Sequence, residues 1–244
     1  MLNCVPGNVG GVTTRAHRLL LWDIDHTLVD FAELGSAWYA TAFTAATGVE
    51  LRVDPVFGGR TERATTTDLL TANGIEPDEE TIQALWRALV AESERSMDRF
   101  AHEARALPGA AAALEAFAGH GGVVQSLVTG NLPEISRHKL AAFALDEHLD
   151  FEIGGYGTLS AFRPDLVPHA VGQAAAKHGT TFEPDAVVVI GDTPNDVQAA
   201  LHHGAVSVAV ATGRFSAKTL RDAGAHTVLP NLADFDAVRT AVLG

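Results

Sequence analysis

The sequence predicts an α/β fold: a Rossmann-like parallel sheet core with helices on both faces, interrupted after its first strand by an all-helical insertion. Three observations predict it. Short aliphatic runs without polar alternation recur along the chain, as strands buried on both faces do. Longer helical segments separate them, a rhythm that implies right-handed crossovers between parallel strands. The stretch from about residue 32 to residue 105 has no convincing strand at all.

The elements follow in order. Residues 1–16, "MLNCVPGNVGGVTTRA", are rich in Gly, Asn and Thr and read as a flexible tail. They lack the basic and apolar regions of a signal peptide. The first strand is "LLLW" from Leu19. The insertion holds "ELGSAWYATAFTAATG", the weaker "TERATTTDLLTANG", and one or two helices between Asp78 and Ala104. "ALPGA" (Ala106 to Ala110) returns the chain to the alternating pattern. Helices are expected over Ala110 to Ala118, Pro133 to Phe143, Leu166 to His178, Pro194 to His203, Ser216 to Ala223 and Leu232 to Val242. Strands are expected in "VVQSLV" at Val123, "AVVVI" at Ala186, "AVSVAV" at Ala205 and a weak "HTVL" at His226, with one more between Thr129 and Arg163. Pro133 and Pro194 stand where a first-turn proline is tolerated. Gly204 and Gly224 follow helices, where a left-handed cap favours glycine. The domains are therefore expected at 17–31 with 106–244 for the core, and 32–105 for the insertion.

Bulk composition narrows the function. The 244 residues carry 17 basic and 30 acidic side chains, a formal charge of −13. That balance argues against a nucleic-acid groove or an anionic membrane surface, both of which need a basic footprint. A small anionic ligand remains possible where a cation sits in the site. Cys4 is the single cysteine, so no intramolecular disulfide forms, in keeping with a reducing compartment. No run reaches the length of a membrane span. A soluble cytoplasmic protein is expected; its oligomeric state is not legible.

In open parallel sheets, ligands bind beyond the carboxyl ends of the strands. The first apolar run leads into Asp23, Asp25 and Thr27. "SLV" leads into Thr129, Gly130 and Asn131. "VVVIG" leads into Asp192, Thr193, Pro194, Asn195 and Asp196. Strand alternation puts Asp23 and Asp25 on one side of the chain. Four carboxylates brought to one edge repel each other unless neutralised. A hard divalent cation with oxygen ligands relieves this, and Mg2+ is the expected choice beside a phosphate group. Thr27 reads as structural, bonding the turn backbone. In the insertion, "FGGRTE" (Phe57 to Glu62) reads either as a specificity loop, with Arg60 binding an anionic substrate group, or as a plain interhelical loop. Trp38, Tyr39 and Phe43 have helical spacing and are expected to pack the insertion or its seam with the core.

"DIDHTLVD", "SLVTGN" and "VIGDTPND", in this order and after strands, resemble motifs I, II and IV of the haloacid dehalogenase superfamily. "LPGAAAALEAFA", "ATGRFSAKTLRDAGA" and "VLPNLADF" are similar to its phosphoglycolate-phosphatase-like branch, and the resemblance covers nearly everything from Arg18 onward. It implies that Asp23 attacks phosphorus and becomes an aspartyl phosphate. Asp25 would protonate the leaving oxygen and then activate water. Thr129, with the backbone amides near Gly130 and Asn131, would bind the phosphoryl group. Mg2+ would be held by Asp23, the backbone carbonyl of Asp25, Asp192 and Asp196. The helical insertion matches a C1 cap, a lid with hinges expected near Phe31 to Glu33 and Leu107 to Gly109. Two positions depart from the family pattern. His26 stands where glycine is usual, which implies a local change in the turn. In "AFRPDLV", Arg163 stands where a lysine is usual; it keeps the charge, and Lys139, after motif II, is the alternative cation. The resemblance implies a Mg2+-dependent phosphatase acting on a small phosphorylated metabolite. A phosphomutase of the β-phosphoglucomutase type, a 2-haloacid dehalogenase and a non-catalytic binding protein are the alternatives.

Overall fold

The computed structural model describes residues 18–31 and 34–244. The expected tail at 1–16 and two residues of the first expected hinge, Ala32 and Glu33, lie outside the described residues. The sheet is built from β1 (Arg18–Trp22), β4 (Val123–Thr129), β5 (Gly155–Tyr156), β6 (Val187–Gly191), β7 (Val206–Val210) and β8 (Thr227–Leu229). It is six-stranded, in the order β5-β4-β1-β6-β7-β8. Every pairing in it is parallel. This is the fold class that the aliphatic runs predict.

Alternation along the central strands sorts the two faces. Leu20, Trp22, Val188 and Ile190 pack with α5 (Ala110–Ala118), α6 (Pro133–Ala141) and α10 (Phe235–Leu243). Leu19, Leu21, Val187 and Val189 pack with α7 (Leu166–His178) and α8 (Pro194–His202). Both sides of β1 are therefore dry, and its four aliphatic or aromatic residues at 19–22 are fully buried. At about 25 cal/mol per Å2 of apolar surface removed from water, such strands contribute a large share of the driving force. The short helix α9 (Ala217–Asp222) covers the β7–β8 end through Leu220, which packs on Val197 and Ala209. Pro133 and Pro194 each occupy a first-turn position. Gly204 and Gly224 have φ of 66° and 99°.

Between β1 and α5 come α1 (Leu34–Thr47), α2 (Glu62–Ala72), α3 (Glu79–Arg95) and α4 (Met97–Glu103). The chain leaves and re-enters the α/β part through a two-stranded antiparallel ribbon, β2 (Val29–Asp30) against β3 (Arg105–Ala106). This ribbon flanks the insertion, with β2 before residue 32 and β3 beginning at Arg105; among the described residues between them there is no strand. Each strand is two residues long and carries no sequence period. Trp38, Tyr39 and Phe43 are buried as expected, together with Leu85, Trp86 and Leu89 of α3. The indole N–H groups find hydroxyls: Trp38 donates to Ser96 (3.1 Å) and Trp86 to Thr66 (2.9 Å). At the seam with the core, Phe31 meets Phe100 edge-on, with ring centroids 4.8 Å apart. Among the described residues, no helix is long and apolar enough to cross a membrane.

Candidate active site

The carboxyl ends of β1, β4 and β6 meet beneath the helical insertion. Asp23 leaves β1 with its backbone N–H bonded to Ile190 of β6 (2.8 Å). Asp192 follows β6, and Asp196 lies in the first turn of α8. There Thr193 caps the helix: its Oγ1 and N–H donate to Asp196 Oδ2 at 2.6 and 3.0 Å, and Pro194 follows at the first helical position. Asp23, Asp192 and Asp196 each offer an oxygen, and these oxygens lie within 4.8 Å of one another. Mg2+ bonds of 2.0–2.1 Å put opposite ligands about 4.2 Å apart, so a small side-chain rotation fits the trio to one ion.

Arg163 enters from the other side, on a short 3-10 turn before α7 that follows Phe162. Its Nη2 donates to Asp23 Oδ1 (2.9 Å) and Asp196 Oδ1 (2.5 Å), and its Nη1 to the Gly59 carbonyl (3.2 Å). Lys139, the alternative cation, also reaches in, but to a different acid. Its Nζ donates to Asp25 Oδ1 and Oδ2 at 2.7 and 2.8 Å. The two cations thus divide the carboxylates between them, Arg163 on Asp23 and Asp196, Lys139 on Asp25.

Two cations against four carboxylates leave two negative charges uncompensated, which is the charge of one dication. The electrostatics carry the same mark. Burial, then the charges of Asp23 and Asp196, push Asp192 up to about 9. Burial and the Asp196 charge push Asp23 up to about 7 against the pull of Arg163. Burial also acts on Asp25, but Lys139 and the Asn131 amide outweigh it and hold that carboxyl below its usual range. The donor set is all oxygen, hard and crowded, and fits Mg2+.

Thr129 is fully buried, and its Oγ1 accepts from Asn131 Nδ2 (2.9 Å). Gly130 lies under the insertion loop: a Cβ there would stand 2.0 Å from the Arg60 carbonyl. Only glycine permits that approach, and the Gly130 carbonyl accepts from the Glu62 N–H (2.8 Å). The "FGGRTE" loop therefore docks on the core by its backbone. The Gly58 carbonyl accepts from Asn195 Nδ2 (2.9 Å), as Gly59 does from Arg163. The Arg60 guanidinium turns instead to Asp68 and the Ala64 carbonyl, both in α2. Thr27 departs from its expected part: its N–H bonds Ile24 (3.3 Å), but its buried hydroxyl finds no partner among the described residues.

His26 shows what the usual glycine is for, because its φ is 58°. A left-handed conformation costs a residue with a Cβ about 1–2 kcal/mol. His26→Gly is expected to stabilise the chain by about 0.5–1 kcal/mol in urea unfolding, part of the relief being offset by glycine's freer unfolded state.

A cavity of about 260 Å3 opens over Asp23, Asp25 and Lys139, roofed by Trp38, Tyr39 and Phe57. Tyr39 donates to the buried Glu62 (2.7 Å), which also takes the Thr66 hydroxyl (3.0 Å). Sequence reasoning missed Gly213, where a Cβ would lie 1.8 Å from Asp192 Oδ2. It also missed Thr212, whose hydroxyl donates to the His26 carbonyl. Both sit just after β7, one strand beyond the ends that the acidic residues mark.

A model of haloacid dehalogenase-like hydrolases matches residues 20–201. The chain belongs to that family. No curated protein sequence matches it. Among solved structures, it is similar to a protein from Bacteroides vulgatus assigned provisionally as a β-phosphoglucomutase, at 20% identity and a TM-score of 0.67, over 95% of this chain and 90% of that one. It is similar to CbbY from Rhodobacter sphaeroides, solved in complex with phosphate, at 21% identity and a TM-score of 0.66, over 89% and 96%. It is also similar to a predicted phosphoglycolate phosphatase from Haemophilus somnus, at 17% identity and a TM-score of 0.61, over 93% and 99%.

Proposed function

We infer that this chain is a Mg2+-dependent phosphatase acting on small phosphorylated metabolites through an aspartyl phosphate on Asp23. The observation that carries the reading is the buried meeting of Asp23, Asp192 and Asp196 with Arg163, open to a cavity on the Asp25 side. The retained Asp25 and Asp192 favour phosphoryl transfer over dehalogenation, which needs neither. Residues 17–31 and 106–244 form the core in this reading, and residues 32–105 form a cap that admits the substrate and shields the reaction from bulk water.

In the first half-reaction, an Asp23 carboxylate oxygen attacks phosphorus as the bond to the leaving oxygen breaks. Asp25 passes the leaving oxygen a proton that it first takes up from solvent, since Lys139 holds its carboxyl below the usual range in the free protein. Arg163 and the amides around Gly130 and Asn131 hold the phosphoryl oxygens, with the Thr129 hydroxyl beside them. In the second, water attacks phosphorus, Asp23 is released, and the water's proton passes to Asp25. Mg2+, held by Asp23, Asp192 and the Asp25 main-chain carbonyl with Asp196 behind, would offset the charge of phosphate and nucleophile.

Cation binding has a thermal signature. Without a dication, folded Asp23 and Asp192 keep protons that the unfolded chain has released from about pH 4 upward. Stability therefore falls as pH rises, through about 7 for Asp23 and about 9 for Asp192. Saturating Mg2+ is expected to raise Tm by roughly 5–10 °C, more at pH 8 than at pH 6, where protons compete with it. Melts with Mg2+ and with EDTA check this. The function itself is tested by phosphate release from p-nitrophenyl phosphate. The expected result is Mg2+-dependent turnover that EDTA abolishes, with phosphate rather than an isomerised ester as product when sugar phosphates are supplied. Turnover that EDTA leaves unchanged overturns the reading.

A further inference from the structure

We propose that Lys139 is a positioning residue for the hydrolytic half-reaction: it holds the Asp25 carboxylate so that one open acceptor position aims a single water at the phosphorylated Asp23. This deepens the phosphatase reading and rests on it. Lys139 sits in the last turns of α6, with its side chain 6% exposed and its ammonium 5.4 Å from the centroid of the Phe31 ring. An ammonium has three donors. All three are used: on Asp25 Oδ1 (2.7 Å), on Asp25 Oδ2 (2.8 Å) and on Asn131 Oδ1 (2.8 Å). None is left for a phosphoryl oxygen, so Lys139 acts through its partners rather than on the substrate.

The partners close a ring. Asn131 Nδ2 donates to Asp25 Oδ2 (2.8 Å) and to Thr129 Oγ1 (2.9 Å). A carboxylate offers about four acceptor positions. Lys139 and Asn131 occupy three of them. The Asp25 side chain is 38% exposed and faces the cavity, which leaves one position for one water. In the step so arranged, the water oxygen bonds to phosphorus and the Asp23 oxygen–phosphorus bond breaks. The water's proton goes to Asp25, and inorganic phosphate leaves. The first half-reaction of a substrate with a good leaving group needs none of this, because p-nitrophenolate departs without a proton.

The test compares wild type, Lys139→Met and Lys139→Arg on p-nitrophenyl phosphate with Mg2+. Met keeps the apolar stem but breaks the Lys139–Asp25 pair from one side, which costs stability. The Asp25 side chain is 38% exposed and can draw on water, so the cost is expected to be below that of a fully buried pair, and a urea melt checks that the variant is folded. In Lys139→Met, kcat is expected to fall about 10- to 100-fold, less than the roughly 10²–10⁴ of a lost general base because Asp25 itself remains. Its kcat/KM, which reports formation of the phosphoenzyme, stays within about threefold. A burst of p-nitrophenolate appears, and the acid-quenched protein carries an added phosphoryl mass on Asp23. Lys139→Arg recovers part of kcat and loses the burst. A parallel fall in kcat and kcat/KM without phosphoenzyme, or no change in either, overturns the proposal while leaving the phosphatase reading in place. A wild type that releases no phosphate overturns the reading itself, and the proposal with it.

Discussion

Asp23→Asn is expected to lower phosphate release by at least about 10³-fold, with no phosphoenzyme at any time point. An amide at this position keeps the shape of the side chain and an acceptor for Arg163 Nη2, 2.9 Å away in the native chain. It lacks the oxygen nucleophile. The same substitution is expected to raise Tm at pH 8 in EDTA. Asp23 is pushed up to about 7 by burial and by Asp196, so above that pH its carboxylate costs folding free energy, and asparagine removes the cost. Activity and stability then move in opposite directions, which an unfolded variant cannot do. Paired melts and single-turnover assays read both.

Arg163 gives the second large effect. Arg163→Met leaves Asp23 and Asp196 buried without their common cation. Breaking a buried pair from one side costs about 3–5 kcal/mol, here seen as a lower urea midpoint at pH 7–8. The loss shrinks at lower pH, where the stranded Asp23 takes up a proton. Arg163→Lys separates charge from shape. A single ammonium keeps a positive charge beside Asp23 but does not reproduce the planar fork that spans Asp23, Asp196 and the Gly59 carbonyl at once. Stability is expected to fall by less than half as much as in Arg163→Met. KM is expected to rise severalfold as the insertion loop loses its tie.

The legible parts of the molecule were those whose meaning is local. β1 from Leu19 and β6 are buried on both faces, and no polar position interrupts their aliphatic runs; β4 and β7 keep readable runs around the buried Gln125, Ser126 and Ser207. The acids at 23, 25, 192 and 196 directly follow such runs, which puts them at one sheet edge before any contact is known. β5 is two residues long and carries no run of its own; only the spacing between Thr129 and Arg163 asks for a strand there. Lys139 was legible as a cation close to the site, but a helix position fixes direction and not reach, so its partner was not. Arg60 reads equally as an anion ligand or as a loop residue in solvent; it lines the cavity and pairs with Asp68, eight residues on, a contact that the local sequence does not announce. Gly213 lies in a stretch that resembles the family, but its part in the site is not legible there, since that part is the carboxylate of Asp192 pressed against its Cα.

The docking of residues 58–62 has an evolutionary corollary. The core grips this loop by main-chain carbonyls and amides, and by the room that Gly130 leaves beneath it. Such a joint is blind to what Phe57, Tyr39 and their neighbours carry. In the proposed reading, roof side chains can drift, and selectivity with them, while the phosphoryl chemistry below is kept. In that reading, a new ester would call for changes at a few roof positions, with Asp23, Asp25 and Asp192 kept.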